Sequence, residues 1–202
     1  AMKKMAEKLS QVRQRSAKKF AEEICGQMKE LNFLDSRFEI RISEAEKYSS
    51  NGKDEAEFYL SVNPGEPLKP LGSVASGGEI SRVMLAVKTV LADEEDTPTL
   101  IFDEIDTGIS GITAGKVGDR LRLIGKSRQV ICITHLPQIA ATADHHFLIR
   151  KKAEGTSVRT DVEMLDEAAS VEELARLLGG AKITDTVIQN AREMKELADK
   201  TK

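Results

Sequence analysis

The stretch LGSVASGGEISR (residues 71–82), followed by TLIFDE (residues 99–104), decides the fold. Gly77 and Gly78 carry no side chains just where a helix is about to begin, so the backbone there can approach an anion closely. Ser76 adds a hydroxyl, and the free N–H groups of a new helix point at the same place. Leu100, Ile101 and Phe102 then read as a short buried strand that delivers two carboxylates at its end. Asp103 is placed to hold a hydrated Mg²⁺ ion, and Glu104 to polarise a water. Further along, residues 130–133 form a second apolar strand, ending in Thr134 and His135. Polar groups on strand and helix ends in this order lay out phosphate chemistry.

Around these motifs the apolar spacing alternates between periods. A helix over 78–92 shows Ile80, Val83, Met84 and Val87 on one face, and helices follow at 112–124 and 136–141, with strands at 129–134 and 146–150. Strand, helix, strand, helix, strand predicts a parallel α/β sheet. One more alternating strand is expected at 158–165 after a turn at Gly155. Two helices, at 170–178 and 184–198, close the chain, with Ser170 and Glu173 reading as a capping box for the first. Upstream, Phe38, Ile40 and Ile42 alternate with charged residues, as do Phe58, Leu60 and Val62, so an antiparallel hairpin with a long connection through Asn51-Gly52 is expected. Pro64, Gly65, Pro67 and Pro70 make a stiff loop before the Gly-Gly turn. Residues 2–34 carry Met5, Leu9, Val12, Phe20, Ile24, Met28 and Leu31 in steps of threes and fours, apart from Ser16, which fills one place in the series. This narrow stripe suits a single partner helix better than a broad core.

Composition bounds the rest. Apolar residues make up 40% and charged residues 31%, as a long solvated helix would add, and the net charge of -3 gives no global field for nucleic acid. Arg150-Lys151-Lys152 and the basic scatter over 3–19 read as solvated faces. Cys25 and Cys132 sit among apolar residues without metal-ligand spacing, as reduced thiols of a cytosolic protein would. His145 and His146 are adjacent on a strand, so they point to opposite faces and do not converge on a metal. No apolar run approaches the ~18 residues of a membrane span. There is no secretory signal pattern, and the Ala1-Met2 start reads as an added one. A cytoplasmic setting with no membrane partner is expected.

Together the motifs resemble the C-terminal half of an ABC-type ATPase head of the SMC kind, and within that group the bacterial proteins of double-strand-break repair. SGGE is similar to the signature motif, LIFDE to Walker B, DEIDTGIS to the approach to the D-loop, and ITHLPQIA to the switch-histidine segment. The resemblance is of motif strength from about Leu71 to Ala143. It implies an α/β fold: the C-terminal lobe of a P-loop head, with a parallel sheet, flanking helices and a β-hairpin over 35–202, and a coiled-coil foot over 1–34. It further implies ATP and Mg²⁺ as cofactors, with Asp103 at the metal, Glu104 and His135 as catalytic groups, and Ser76, Gly77, Gly78, Glu79 and Asp106 near the nucleotide. Asp106 is open between supporting the D-loop and capping the helix near Gly111. Ser110 stands where many relatives carry the D-loop Asp.

A Walker A loop, G-x-x-x-x-G-K-S/T, is not found in the sequence. The nearest run, Gly111-Ile-Thr-Ala-Gly115-Lys116-Val117, has three intervening residues, ends in Val and follows Walker B; it reads as a helix start. The implied partners are therefore the N-terminal half of the same head, which carries Walker A, and a second head in a homodimer. DNA, as double-strand ends, is the implied substrate surface of the whole protein. In that arrangement the signature turn closes on the ATP of the partner head, and one head is not expected to bring Ser76 and Glu104 to one phosphate. The chain alone is expected to be inactive. Competing readings are an ABC transporter ATPase, and a non-catalytic dimerisation module.

Overall fold

The computed structural model describes every residue except Ala1, Leu34, Ala75, Asp93, Gly155, Thr156, Ala181, Thr201 and Lys202. The turn expected at Gly155 lies outside the described residues. A long helix, α1 (Met2–Glu30), leads into a hairpin of β1 (Arg37–Ser49) and β2 (Gly52–Ser61), to which the short β3 (Lys69–Pro70) adds an antiparallel edge. Then come α2 (Gly77–Val90), β4 (Thr99–Phe102), α3 (Gly111–Gly125), β5 (Gln129–Cys132) and the single-turn α4 (Pro137–Ala140). A second hairpin, β6 (Phe147–Glu154) with β7 (Ser157–Met164), and the helices α5 (Glu167–Gly179) and α6 (Asp185–Lys200) complete the chain.

The stripe on α1 divides in two. Ala21, Ile24 and Met28 are buried, and with Leu31 and Phe33 they join the main core under α2 and the first hairpin. Met2, Met5, Leu9 and Val12, two turns and more upstream, remain exposed. That core continues through Val83, Leu85 and Ala86 of α2, Phe102 of β4, and Val117 and Leu121 of α3. A smaller cluster of Ala140, Ala141, Leu174, Ala175 and Ala191 joins α4 to the two tail helices.

Three elements differ from the sequence expectation, each for a local reason. The first hairpin is long rather than long-looped: pairing runs from Arg37 opposite Ser61 to Ser49 opposite Gly52, with an irregularity between Glu44 and Ser49. Backbone pairing needs no apolar side chain, and its polar arms are held by cross-strand contacts such as Arg41 over the Tyr59 ring at 3.7 Å. The hairpin tip also lies against α1, where Arg13 bonds Asp54 at 2.8 Å. The strand that begins near His146 does not join β4 and β5; it pairs antiparallel with β7. Parallel strands are buried on both faces, and Arg150, Lys151 and Lys152 forbid that. The helix expected from Ser170 starts earlier, because Asp166 caps it by accepting the Ala169 N–H at 2.8 Å. Ser170 is consequently inside the helix, buried, with its hydroxyl on His146 Nδ1 at 2.9 Å, and Glu173 pairs with Arg176. The proposed capping box does not form.

The split of α1 yields a direct test. Ile24→Ala deletes a fully buried side chain and is expected to destabilise the chain by ~2–5 kcal/mol. Met5→Ala, on the exposed half, is expected to change stability by less than ~0.5 kcal/mol in the same urea titration.

Candidate functional site

Parallel pairing sets the site. Phe102 lies opposite Cys132, and the Ile133 N–H donates to the Phe102 carbonyl at 3.0 Å, so the two strands end side by side. Asp103 and Glu104 leave one strand end, Thr134 and His135 the other. This is the carboxyl end of a parallel sheet, where α/β proteins place their ligands. Asp103, Glu104 and the His135 ring are exposed.

The turn after β4 is tight. Glu104 has φ of 57°, a left-handed conformation that costs a non-glycine residue ~1–3 kcal/mol. Its amide donates to Asp103 Oδ1 at 2.9 Å, and its carbonyl accepts from Thr107 N at 3.1 Å. From behind, buried Arg82 donates through Nη1 to the carbonyls of Ile105 at 3.3 Å and Thr107 at 2.9 Å, and its guanidinium stands 5.3 Å from the Phe33 ring. Burial lowers the Arg82 pKa, with Glu79 opposing that shift. Ser81 Oγ donates to the Asp103 carbonyl at 2.9 Å.

Helix α2 starts against this turn. Ser76 is its N-cap, extended, with Oγ accepting the Glu79 N–H at 3.4 Å. A Cβ on Gly78 would stand 2.7 Å from the Thr107 carbonyl oxygen and 3.1 Å from that of Glu104. A Cβ on Gly77 would collide with the Glu104 carboxylate instead. One chain therefore seats the Glu104 carboxylate against the Gly-Gly turn. The reason is geometric: α2 runs away from the sheet end and β4 returns to it.

Asp106 is 5% exposed. Its Oδ2 accepts from Thr134 Oγ1 at 2.6 Å and from the His135 backbone N–H at 2.8 Å, and lies 3.0 Å from His135 Nδ1. Burial pushes the Asp106 pKa up, but the Thr134 hydroxyl, the His135 amide and the His135 charge outweigh it and leave the carboxyl below its usual range. Asp106 thus faces the strand end, and the N-cap of α3 is Ser110, exposed and without a side-chain cap. Cys132 is pushed up to about 12, first by burial and then by Asp106 and Asp103. The Gly111-to-Val117 run is the opening of α3, not a loop. His145 is exposed, while burial lowers the pKa of His146.

Among the described residues no three His, Cys, Asp or Glu side chains gather as a metal cage. Mg²⁺ in nucleotide sites is held by one or two carboxylates together with waters and phosphate oxygens. The exposed Asp103, fixed by the Glu104 amide, fits that mode. Sequence reasoning gave Arg82 no role and named Thr134 only as the strand-end residue before His135. The signal for Arg82 was its spacing, four residues from both Gly78 and Ala86, which puts it on the buried face of α2.

The fold is that of an SMC head. The chain superposes with a TM-score of 0.57 on the Smc head domain with a coiled coil and joint derived from Pyrococcus yayanosii, at 21% identity, over 81% of this chain and 29% of that one. The corresponding figures are 0.56, 20%, 88% and 41% for the Pyrococcus furiosus Smc head domain with an extended coiled coil bound to the C-terminal domain of ScpA. No family model matches the chain. In sequence it is similar, over nearly its whole length, to part of the RecN proteins. It is 43% identical to DNA repair protein RecN of Halalkalibacterium halodurans over 198 residues, 96% of this chain and 35% of the relative. Identity to the Vibrio cholerae protein of the same name is 44% over 190 residues, covering 94% and 34%. The chain thus spans about a third of the length of the curated relatives it matches.

The two glycines are expected to respond differently to a methyl group. Gly78→Ala meets backbone and should cost ~1–3 kcal/mol by overpacking. Gly77→Ala meets only the end of the Glu104 side chain, which can swing away, and should change stability by less than ~0.5 kcal/mol. Equal losses in urea titrations would contradict the packing described at Gly78.

Proposed function

We propose that this chain is the signature, Walker B and switch-histidine part of an ATPase head in a protein that repairs DNA double-strand breaks. Its heads pair on ATP and separate on hydrolysis. The observation that carries this reading is the open rim on which Gly77, Asp103, Glu104 and the His135 ring are exposed. Two cavities among the described residues, one lined by Glu30 and Lys116 and the other by Arg82 and Thr113, lie away from these residues. An exposed rim excludes no water, so it needs a second surface to close over a phosphate.

In this reading Asp103 holds Mg²⁺, which neutralises phosphate charge when bound. Glu104 orients the attacking water, and His135 stabilises charge on the transferred phosphoryl group. Ser76, Gly77, Gly78 and Glu79 form the signature turn, with Ser76 Oγ and the Gly78 amide as donors. Asp106 supports the rim from beneath. The missing phosphate cradle belongs to the N-terminal half of the head. Support for a covering partner comes from apolar residues left in the open: Ile101, Ile131 and Ile133 at β4 and β5, and Phe147, Ile149, Val162 and Met164 on the second hairpin. Residues 1–34 serve as the coiled-coil foot, with Met2, Met5, Leu9 and Val12 facing the partner helix. DNA ends are engaged by the whole protein in the bacterial cytoplasm, at the nucleoid. The RecN relatives support the repair role, and the superposition on Smc heads supports the fold alone.

The contact between Glu104 and Gly77 in one chain gives a competing arrangement, in which both elements serve one ATP in cis. Mixing full-length Ser76→Arg and Glu104→Gln proteins separates the two. Each variant alone is expected to lose activity, ~10²–10⁴-fold for Glu104→Gln as a general base. Paired heads leave one site with both elements intact, so ATPase activity returns in the mixture. Heterodimers that form and stay inactive would favour the cis arrangement.

A further inference from the structure

Asp106 is a buried carboxylate without a Lys or Arg partner: among the described residues its only ion-pair partner is the ring of His135. An ionised carboxylate out of water costs several kcal/mol unless its lone pairs are filled. Here two hydrogen bonds come from one short segment, from the Thr134 hydroxyl and the His135 amide, and the His135 ring stands with Nδ1 3.0 Å from the same Oδ2. Thr134 Oγ1 in turn accepts the Leu136 N–H at 3.0 Å, so the bend from β5 toward α4 is threaded through one side chain. The depressed Asp106 pKa means that this carboxylate is ionised at neutral pH. A carboxylate has only acceptors to offer, so the ring atom facing it must be an N–H.

We propose that Asp106 is the positioning residue of the rim: it fixes His135 in the Nδ1–H form and turns Nε2 outward. A neutral His135 then presents an acceptor to the rim. It meets an incoming phosphate as a donor only when it is the imidazolium, with Asp106 as the counter-charge already in place. The carboxylate does for this ring what a hydrogen-bonded partner does for any functional histidine, setting which nitrogen works. The identity of the anion rests on the phosphate reading above; the orientation of the ring stands without it.

Nitrogen-15 NMR of the imidazole groups in the chain at pH ~8, above the ordinary histidine range, reads the tautomer directly. His135 is expected to show a protonated Nδ1 and a bare Nε2, while exposed His145 shows the Nε2–H preference of free imidazole. Asp106→Asn keeps one carbonyl oxygen whose two lone pairs are taken by Thr134 and the His135 amide, so the ring is released toward the His145 pattern. Thr134→Val leaves the ring's own partner in place and should keep the Nδ1–H form. An Nε2–H ring at His135 in the unaltered chain overturns the proposal, and so does an Nδ1–H ring that persists unchanged in Asp106→Asn. In the full-length protein His135→Gln is expected to lower kcat ~10²–10³-fold, as loss of a charge-stabilising donor does. Asp106→Asn should lower kcat less, with KM for ATP little changed. Tautomers as expected with kcat unchanged in both variants would leave the positioning intact and overturn the phosphate role of His135.

Discussion

The parallel pairing of Thr99–Phe102 with Gln129–Cys132 is the constraint on which the rest of the structure depends. It brings two chain segments that are distant in sequence to one level, so that carboxylates leave one strand beside a histidine leaving the next. At 1.5 Å per residue, α2 carries the chain ~20 Å away from that level before β4 returns it. The start of α2 is thereby pressed against the end of β4. Only a residue without Cβ fits where Gly78 meets the Thr107 and Glu104 carbonyls. Signature turn and strand end are one packed unit before any nucleotide arrives.

That unit is held from behind by two buried charges of opposite sign that do not pair with each other. Arg82 supplies donors to the carbonyls of Ile105 and Thr107, and Asp106 accepts from Thr134 and His135. Removing either charge leaves its buried hydrogen-bond partners unsatisfied, which makes both residues intolerant of change. Their reward is a rigid turn, which keeps Glu104 in a left-handed conformation that the residue would not choose alone. Strain there is consistent with a functional position, and the surrounding hydrogen bonds account for its persistence.

Much of this was legible in the sequence, where apolar period or motif spacing carried the information. Val83 and Val87 announced α2, Leu100 and Phe102 announced β4, and the Gly and small residues from Gly111 announced the start of α3. What escaped was set by backbone pairing or by contacts across the fold. The polar arms of the first hairpin carry no apolar alternation beyond Ile42, so its length was hidden. Asp166 and Ser170 are both good caps with Ala168 and Ala169 between them, and the helix simply extended to the earlier one. The partnership of Asp106 with His135 joins residues far apart in the chain and has no local signature. Nor has the seat of Glu104 on Gly77.

The central claim is that the exposed rim is half of an ATP site. The direct measurement is reconstitution: the chain is mixed with the complementary polypeptide carrying a G-x-x-x-x-G-K-S/T loop, and ATP hydrolysis is followed against each component alone. The account predicts silence from each part, turnover in the mixture, and loss of that turnover with Glu104→Gln. Hydrolysis by the mixture that survives Glu104→Gln unchanged would contradict it.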